Sequence, residues 1–188
     1  MNTRKIISAM AFAVTLFAAS ASFAQKEKTV MVGGAAMYPS KNIVENAVNS
    51  KDHTTLVAAV KAAGLVDTLL SAGPFTVFAP TNDAFAKLPE GTVETLLKPE
   101  NLKTLQTILT YHVVAGKMNA SDIAKAIKVG NGKATLTTVS GGKLVASMNG
   151  KKLILTDEMG GTSTVTIADV NQSNGVIHVV DTVVLPKL

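Results

Sequence analysis

Residues 75–85 read FTVFAPTNDAF, and no other stretch limits the fold as tightly. Phe75 to Ala79 combines aromatic and β-branched side chains, the composition of a strand. Pro80 has no amide hydrogen, so it can close a strand but cannot continue one through the middle of a sheet. Thr81 is a preferred helix N-cap. Asp83 then falls in the first helical turn, where a carboxylate meets the positive end of the helix dipole. Ala84, Phe85 and Leu88 would turn inward. A strand must therefore hand over to a helix at once, and every residue type has a local structural duty. No Ser or Cys nucleophile stands at the corner, and no glycine-rich loop is there to cradle a phosphate.

Helical spacing dominates what surrounds this corner. Ile43, Val44, Ala47 and Val48 share one face. Leu56, Val60 and Ala63 recur at helical intervals, and Gly64 suits the C-terminal cap. Val93, Leu96 and Leu97 follow, then Leu102, Leu105, Ile108 and Leu109 in a helix opened by Pro99-Glu100. Ala120 to Ile127 is a further helix after Asn119. Thr29 to Pro39, with Gly33-Gly34, reads as an irregular lead-in.

The second half reads as strands. Asn149-Gly150 lies between two alternating runs and signals a hairpin. With those two residues as the loop, Ala146 faces Leu153 and Leu144 faces Leu155, and all four lie on one face. Gly141-Gly142 marks another turn. Thr164 to Val170 and Val176 to Leu185 supply further strands, separated by Asn171 to Gly175. Helices first and mostly antiparallel strands later predict an α+β domain.

The first 24 residues are expected to be removed. Arg4 and Lys5 precede an apolar run from Ile6 to Ala19, and Ala-Ser-Phe-Ala ends at Ala24, the pattern of a secretory signal peptide. Cleavage is placed after Ala24, with Ala21 the second choice. The run is shorter than the roughly 20 residues that span a bilayer. Three segments result: a leader over 1–24, the lead-in over 25–41, and one domain over 42–188. Removing the leader takes two of the 18 basic residues and none of the 13 acidic ones, leaving a net charge of +3. With aromatic content of 4% and no basic run with interleaved aromatics, nucleic-acid binding is not expected. The chain has no cysteine, so stability must come from the core rather than from disulfides, and lipid attachment through a Cys thiol is excluded. The mature protein is expected to be periplasmic or extracellular, with no membrane span.

Candidate chemistry is sparse. The three histidines, His53, His112 and His178, show neither HxxxH nor HxH spacing, so no metal site is expected. His53 precedes a helix and is expected to face solvent. His178 and Asp181 are three apart on one strand and point to opposite faces, so they form no dyad. Asp181 alternates with Ile177, Val179, Val183 and Leu185, and a carboxylate there needs backbone partners at a strand irregularity. Ser140-Gly141-Gly142 is a turn rather than a nucleophile elbow. Asp157 and Glu158 are adjacent in a glycine-rich loop, expected to be solvated rather than a glycosidase pair. Catalytic residues and cofactors are therefore not expected.

TVFAPTNDAF, then Tyr111-His112, then NGVIHVVDTVVLP resembles the fasciclin (FAS1) domain in three places and in order. The fold signature falls on Thr76, Pro80, Thr81, Asn82, Asp83 and Phe85 in the first match and on Gly175, His178, Asp181 and Pro186 in the last. The chain looks like the secreted single-domain bacterial members of that family. The resemblance implies a wedge-shaped β-sandwich with helices packed against it, and a non-enzymatic role in adhesion or surface interaction. Partners of that kind are a cell-surface or matrix protein or a polysaccharide. In some animal members an Asp-Ile dipeptide and the Tyr-His motif take part in partner binding. The matching positions are Asp169-Val170, with Val in place of Ile, and Tyr111-His112, which alternatively tie the first box to the sheet. The other implied role is carriage of a small apolar ligand such as a carotenoid or lipid, with Met37, Met118, Met148 and Met159 available to line a cleft.

Overall fold

The structure, a computed structural model, describes residues 27–188. The leader read over residues 1–24 lies outside them. The irregular lead-in expected before residue 42 is instead a hairpin of β1 (Val30–Val32) and β2 (Ala35–Met37). Gly33 and Gly34 both take positive φ, 56° and 76°, which the short turn between paired strands requires. Val32 and Met37 anchor the hairpin in the core.

A helical layer follows: α1 (Ile43–Ala47), α2 (Thr54–Ala62) and α3 (Val66–Leu70). Asn42 and Glu45 cap α1 reciprocally, each side chain accepting from the other's amide at 2.9 Å. Gly64 ends α2 at φ 67°, as the sequence predicts. The chain then enters β3 (Phe75–Pro80), turns the corner into α4 (Asn82–Ala86), and continues through α5 (Thr92–Leu96) and α6 (Leu102–Tyr111). After β4 (Val113–Ala115) and α7 (Ala120–Val129) come β5 (Lys133–Thr137), β6 (Lys143–Asn149), β7 (Lys152–Thr156), β8 (Thr162–Gln172) and β9 (Gly175–Val180).

Seven strands form one sheet in the order β4-β3-β9-β8-β7-β6-β5. Every neighbouring pair is antiparallel except β3 and β9, which run parallel from Phe75 opposite Gly175 to Pro80 opposite Val180. Gly175 must lack a side chain there, because a Cβ would sit 2.2 Å from the Phe75 carbonyl oxygen. The two ends of the sheet meet, the Val139 amide donating to the Val113 carbonyl at 2.7 Å. The sheet thus curls into a nearly closed barrel whose facing walls are the two layers expected of a sandwich.

Two apolar cores lie on opposite sides of this sheet. The barrel interior holds Phe78, Leu144, Ala146, Leu155 and Val180, plugged by Ile123 and Ile127 of α7. Between the outer face and the helices, Val77, Ala79, Ile177 and Val179 pack on Leu56, Ala59, Leu105 and Leu109. Because β3 and β9 are covered on both faces, their apolar residues run consecutively rather than alternating.

The β6–β7 register differs from the expected one. Asn149 pairs with Lys152 and Ala146 with Leu155, so the loop is Gly150-Lys151. Gly150 has φ 60° and Lys151 has negative φ, the arrangement that puts glycine at the first loop position. The shift moves each partner by two residues, so Leu144, Ala146, Leu153 and Leu155 all remain buried on one face. Replacing the fully buried Leu144 by Ala is expected to lower urea-unfolding stability by about 2–5 kcal/mol. Val145→Ala on the opposite, outward face should cost about 1 kcal/mol or less in the same measurement.

Candidate functional site

The residues singled out from the sequence gather into two separate polar clamps, one at each end of the barrel. The first holds the C-terminal tail. Tyr111 is fully buried at the end of α6; its hydroxyl donates to the Lys143 carbonyl at 2.6 Å and accepts from the Glu158 amide at 3.2 Å. Burial pushes the phenol up to about 12, so it remains a donor. His112, which caps α6 rather than standing in the following strand, bonds through Nδ1 to the Ile108 carbonyl at 2.8 Å and through Nε2 to the Val184 amide at 3.2 Å. A carbonyl on one nitrogen and an N–H on the other fix the neutral tautomer with hydrogen on Nδ1. Burial pulls its pKa down to about 4, against the smaller pulls of the Ile108 carbonyl and Asp157.

Past β9, after the Asp181 amide bonds the Thr164 carbonyl of β8 at 3.1 Å, the tail pairs with no strand among the described residues, and side chains replace the missing ladder. Asp181 Oδ1 accepts from the Thr164 amide at 2.8 Å, the strand irregularity expected of it. Ser163 Oγ accepts from Thr182 at 3.2 Å, Asp157 Oδ2 from Leu185 at 2.9 Å, and Glu158 Oε2 from Lys187 at 3.0 Å. Pro186 is buried among them. The solvated loop expected at Asp157 is thereby corrected: its Oδ1 also accepts from Met159 and Gly161, and the residue is buried. Glu158 is exposed, and the Lys187 and Lys143 amides hold its pKa below the ordinary value.

The second clamp holds the approach to α7. Thr76 Oγ1 donates to the Gly116 carbonyl at 2.6 Å and accepts from the Met118 amide at 2.9 Å. His178 stacks on Phe78, ring centroids 5.6 Å apart; its Nε2 donates to the Met118 carbonyl at 2.9 Å and its Nδ1 accepts from the Asp169 amide at 3.3 Å. Burial lowers its pKa, opposed by the Met118 carbonyl and Asp169. Asp169 stands at φ 59° beside a β-bulge and caps α7 by accepting from the Ala120 amide at 2.7 Å. Val170 is buried in the helix-side core. Of Tyr111, His112, Asp169 and Val170, only Asp169 reaches solvent, and it shares no bond with the Tyr-His pair. His112 and His178 share no partner either.

The corner behaves as its residue types predict. Thr81 Oγ1 accepts from the Ala84 amide at 3.2 Å, and Phe85 is buried on the helix side. Asn82 has a duty the sequence did not show: its Oδ1 accepts from Thr55 at 3.0 Å and its Nδ2 donates to the Lys51 carbonyl at 2.9 Å, tying the start of α2 to the corner. Asn174 was also missed; it accepts from the Ile43 amide and donates to the Leu69 and Ser71 carbonyls. His53 is buried rather than solvent-facing, bonded to Ser50 Oγ at 2.9 Å, because the short turn of Lys51–His53 folds it under α2. Burial lowers its pKa, with the Ala79 carbonyl and Asp52 opposing.

An apolar cleft of about 90 Å³ lies between α1–α3 and the outer face of the sheet, lined by Ile43, Leu56, Val60, Leu69, Val77 and Ile177 among others. Of the four methionines expected to line a cleft, only Met37 does so; Met118 packs on the barrel core, and Met148 and Met159 are exposed. Among the described residues, no cluster of His, Asp or Glu is arranged to hold a metal, and no helix is long and apolar enough to cross a membrane.

A curled sheet with a helical layer, its polar residues spent on internal tethers, defines a scaffold domain. The Fasciclin domain profile matches residues 51–186, and the chain belongs to that family. It is 47% identical over 171 residues to Protein sll1483 of Synechocystis sp., covering 90% of this chain and 87% of that one. It is 35% identical to the Immunogenic protein MPB70 of Mycobacterium bovis, over 74% of this chain and 66% of that one. A solved FAS1 domain pair from the insect cell adhesion molecule Fasciclin I superposes with a TM-score of 0.70 at 18% identity, covering 79% of this chain and 52% of that chain.

Acid should weaken the fold through its histidines. The unfolded chain binds a proton at His112 near pH 6.5, whereas the folded chain resists until about pH 4. Stability is therefore lost as pH falls through that window, by up to about 3 kcal/mol for this one residue. His53 and His178 shift in the same direction and add to it. The urea midpoint should drop between pH 7 and pH 4.5, and His112→Phe should be weaker at pH 7 with a shallower drop. A midpoint unchanged on acidification would contradict this.

Proposed function

We propose that the protein is an exported, non-enzymatic interaction module of the periplasm or cell exterior, working through its exposed surface. The observation that carries this reading is the use of the buried polar groups. In both clamps, each titratable side chain in the interior is bonded to backbone; burial holds both clamp histidines neutral, and the bonds they make fix their tautomers. Such groups tether; they are not poised to move a proton to or from a substrate. Membership of the Fasciclin family and similarity to the Immunogenic protein MPB70 support the same reading, and so does the leader pattern. Asp169 is the one member of the animal-type contact set with access to a partner.

Fluorescently labelled mature protein should bind saturably to intact cell envelopes or extracellular matrix and be displaced by unlabelled protein. It should turn over no chromogenic ester, glycoside or peptide. Turnover that survives repurification would overturn the reading. Asp169→Ala should weaken envelope binding several-fold if this residue lies in the contact.

The apolar cleft supports a second reading, carriage of a small apolar ligand. At about 90 Å³ it is smaller than the roughly 150 Å³ cavity that accepts benzene, so a carotenoid or lipid would require α1–α3 to move outward. Native mass spectrometry of protein purified without denaturant should show a bound mass on this reading and the bare chain on the first.

A further inference from the structure

Charge is distributed unevenly over the fold. From Ile123 to Thr156 there are six lysines and no acidic residue. Lys143 sits at the tail end of the barrel, beside Glu158. The other five converge on the opposite end. Lys125 and Lys128 lie on α7, Lys133 opens β5, and Lys151 and Lys152 form the β6–β7 turn and the start of β7. Pairing of Lys133 with Ser147, and of Asn149 with Lys152, puts these last three at one end of the sheet. Lys133 and Lys152 are two strands apart, about 10 Å sideways.

All five are exposed. Only Lys125 has an ion-pair partner among the described residues, Asp122 at 3.6 Å. Lys128, Lys133, Lys151 and Lys152 repel one another without compensation, and such a cluster gathers counter-anions. Asn131, Thr135, Ser147 and Asn149 fill the spaces between them with hydroxyls and amides. From His112 onward the chain contains no Phe, Tyr or Trp. The segment that carries the lysines therefore offers no aromatic platform for stacking bases and no aromatic anchor for a membrane interface.

We infer that this lysine-rimmed end of the barrel binds an anionic polysaccharide, one carrying carboxylate or sulfate groups. The lysines meet the charges, and the Asn, Ser and Thr side chains meet the sugar hydroxyls. The inference rests on the surface-interaction reading above and names the class of partner.

The test is calorimetry of the whole mature protein with polygalacturonate, heparin and neutral dextran. Binding should be seen with one or both anionic polymers and not with dextran. With about four charge contacts, affinity should fall roughly tenfold to a hundredfold between about 50 and about 200 mM salt. The quadruple variant K128Q/K133Q/K151Q/K152Q should bind at least about tenfold more weakly. A variant with the same net charge, K41Q/K61Q/K98Q/K103Q, should change by less than about twofold. Equal losses in the two variants would overturn the inference, because the effect would then be net charge. So would equal binding to dextran, absence of binding to either anionic polymer, or binding confined to DNA or to vesicles of anionic phospholipid. Envelope binding that persists in the absence of polysaccharide binding would remove this partner and leave the interaction reading standing. The lysines are exposed, and thermal melts of both variants should match the wild type.

Discussion

The parallel pairing of β3 with β9 is the constraint on which the rest depends. Neither strand has a wet face: one side is covered by the helices and the other by the barrel interior. Parallel pairing also leaves neither strand able to be joined to the other by a short turn. The chain must leave β3 at Pro80 and return to β9 only after every other main element has been built. Polar groups on this seam have no water to bond, and an unpaired one costs about 1–3 kcal/mol. Thr76 and His178 on the seam, and His112 beside it, therefore each reach a backbone group on a neighbouring segment. The clamps are the consequence of a doubly buried seam, and they fix the entry to α7 and the course of the tail.

Local chemistry was legible in the sequence wherever one residue type had only one use. Pro80 could only end a strand, Thr81 could only cap, and Gly64 could only terminate a helix; all three do so. The resemblance to the fasciclin domain supplied the global arrangement that local patterns lacked. Where two uses competed, the reading slipped. Asn149-Gly150 signalled the hairpin, but either Asn-Gly or Gly-Lys can fill a two-residue loop, and the second is used. The face survived because the shift was even. The sequence suggests solvated positions for His53 and Asp157 because polar residues flanking helices and in glycine-rich loops usually face water; a short turn tucks His53 under α2, and Asp157 is covered by the sequence-distant tail at Leu185. Asn82 and Asn174 were missed as tethers for the same reason. A side chain's long-range partner leaves no periodic mark in its own neighbourhood.

The same separation explains why the scaffold was easier to read than the partner. The residues that carry the family signature are mostly inside, where packing and hydrogen bonding restrict them. Thr76 and His178 are fully buried, and Phe85 is buried as well. Lys128, Lys133, Lys151 and Lys152 are exposed, and their side chains have no hydrogen-bond or ion-pair partner among the described residues, so no structural rule demands lysine there. Function of a binding scaffold resides on that unconstrained surface, and shared architecture does not carry it from one member to the next.

Interior and surface are nevertheless coupled through α7. Its apolar residues Ile123 and Ile127 plug the barrel, while Lys125 and Lys128 lie on its outer face. A helix turned by one residue about its axis would rotate those lysines by roughly 100°. What prevents such a rotation is the pair of buried side chains seated in the barrel and the approach fixed by Thr76, His178 and Asp169, which hold Gly116, Met118 and Ala120. Asp169 touches the helix at its first residue, about two turns from Lys128, and still helps to set where that charge points. The buried signature residues Thr76 and His178 in this way fix the direction of the proposed binding surface without belonging to it.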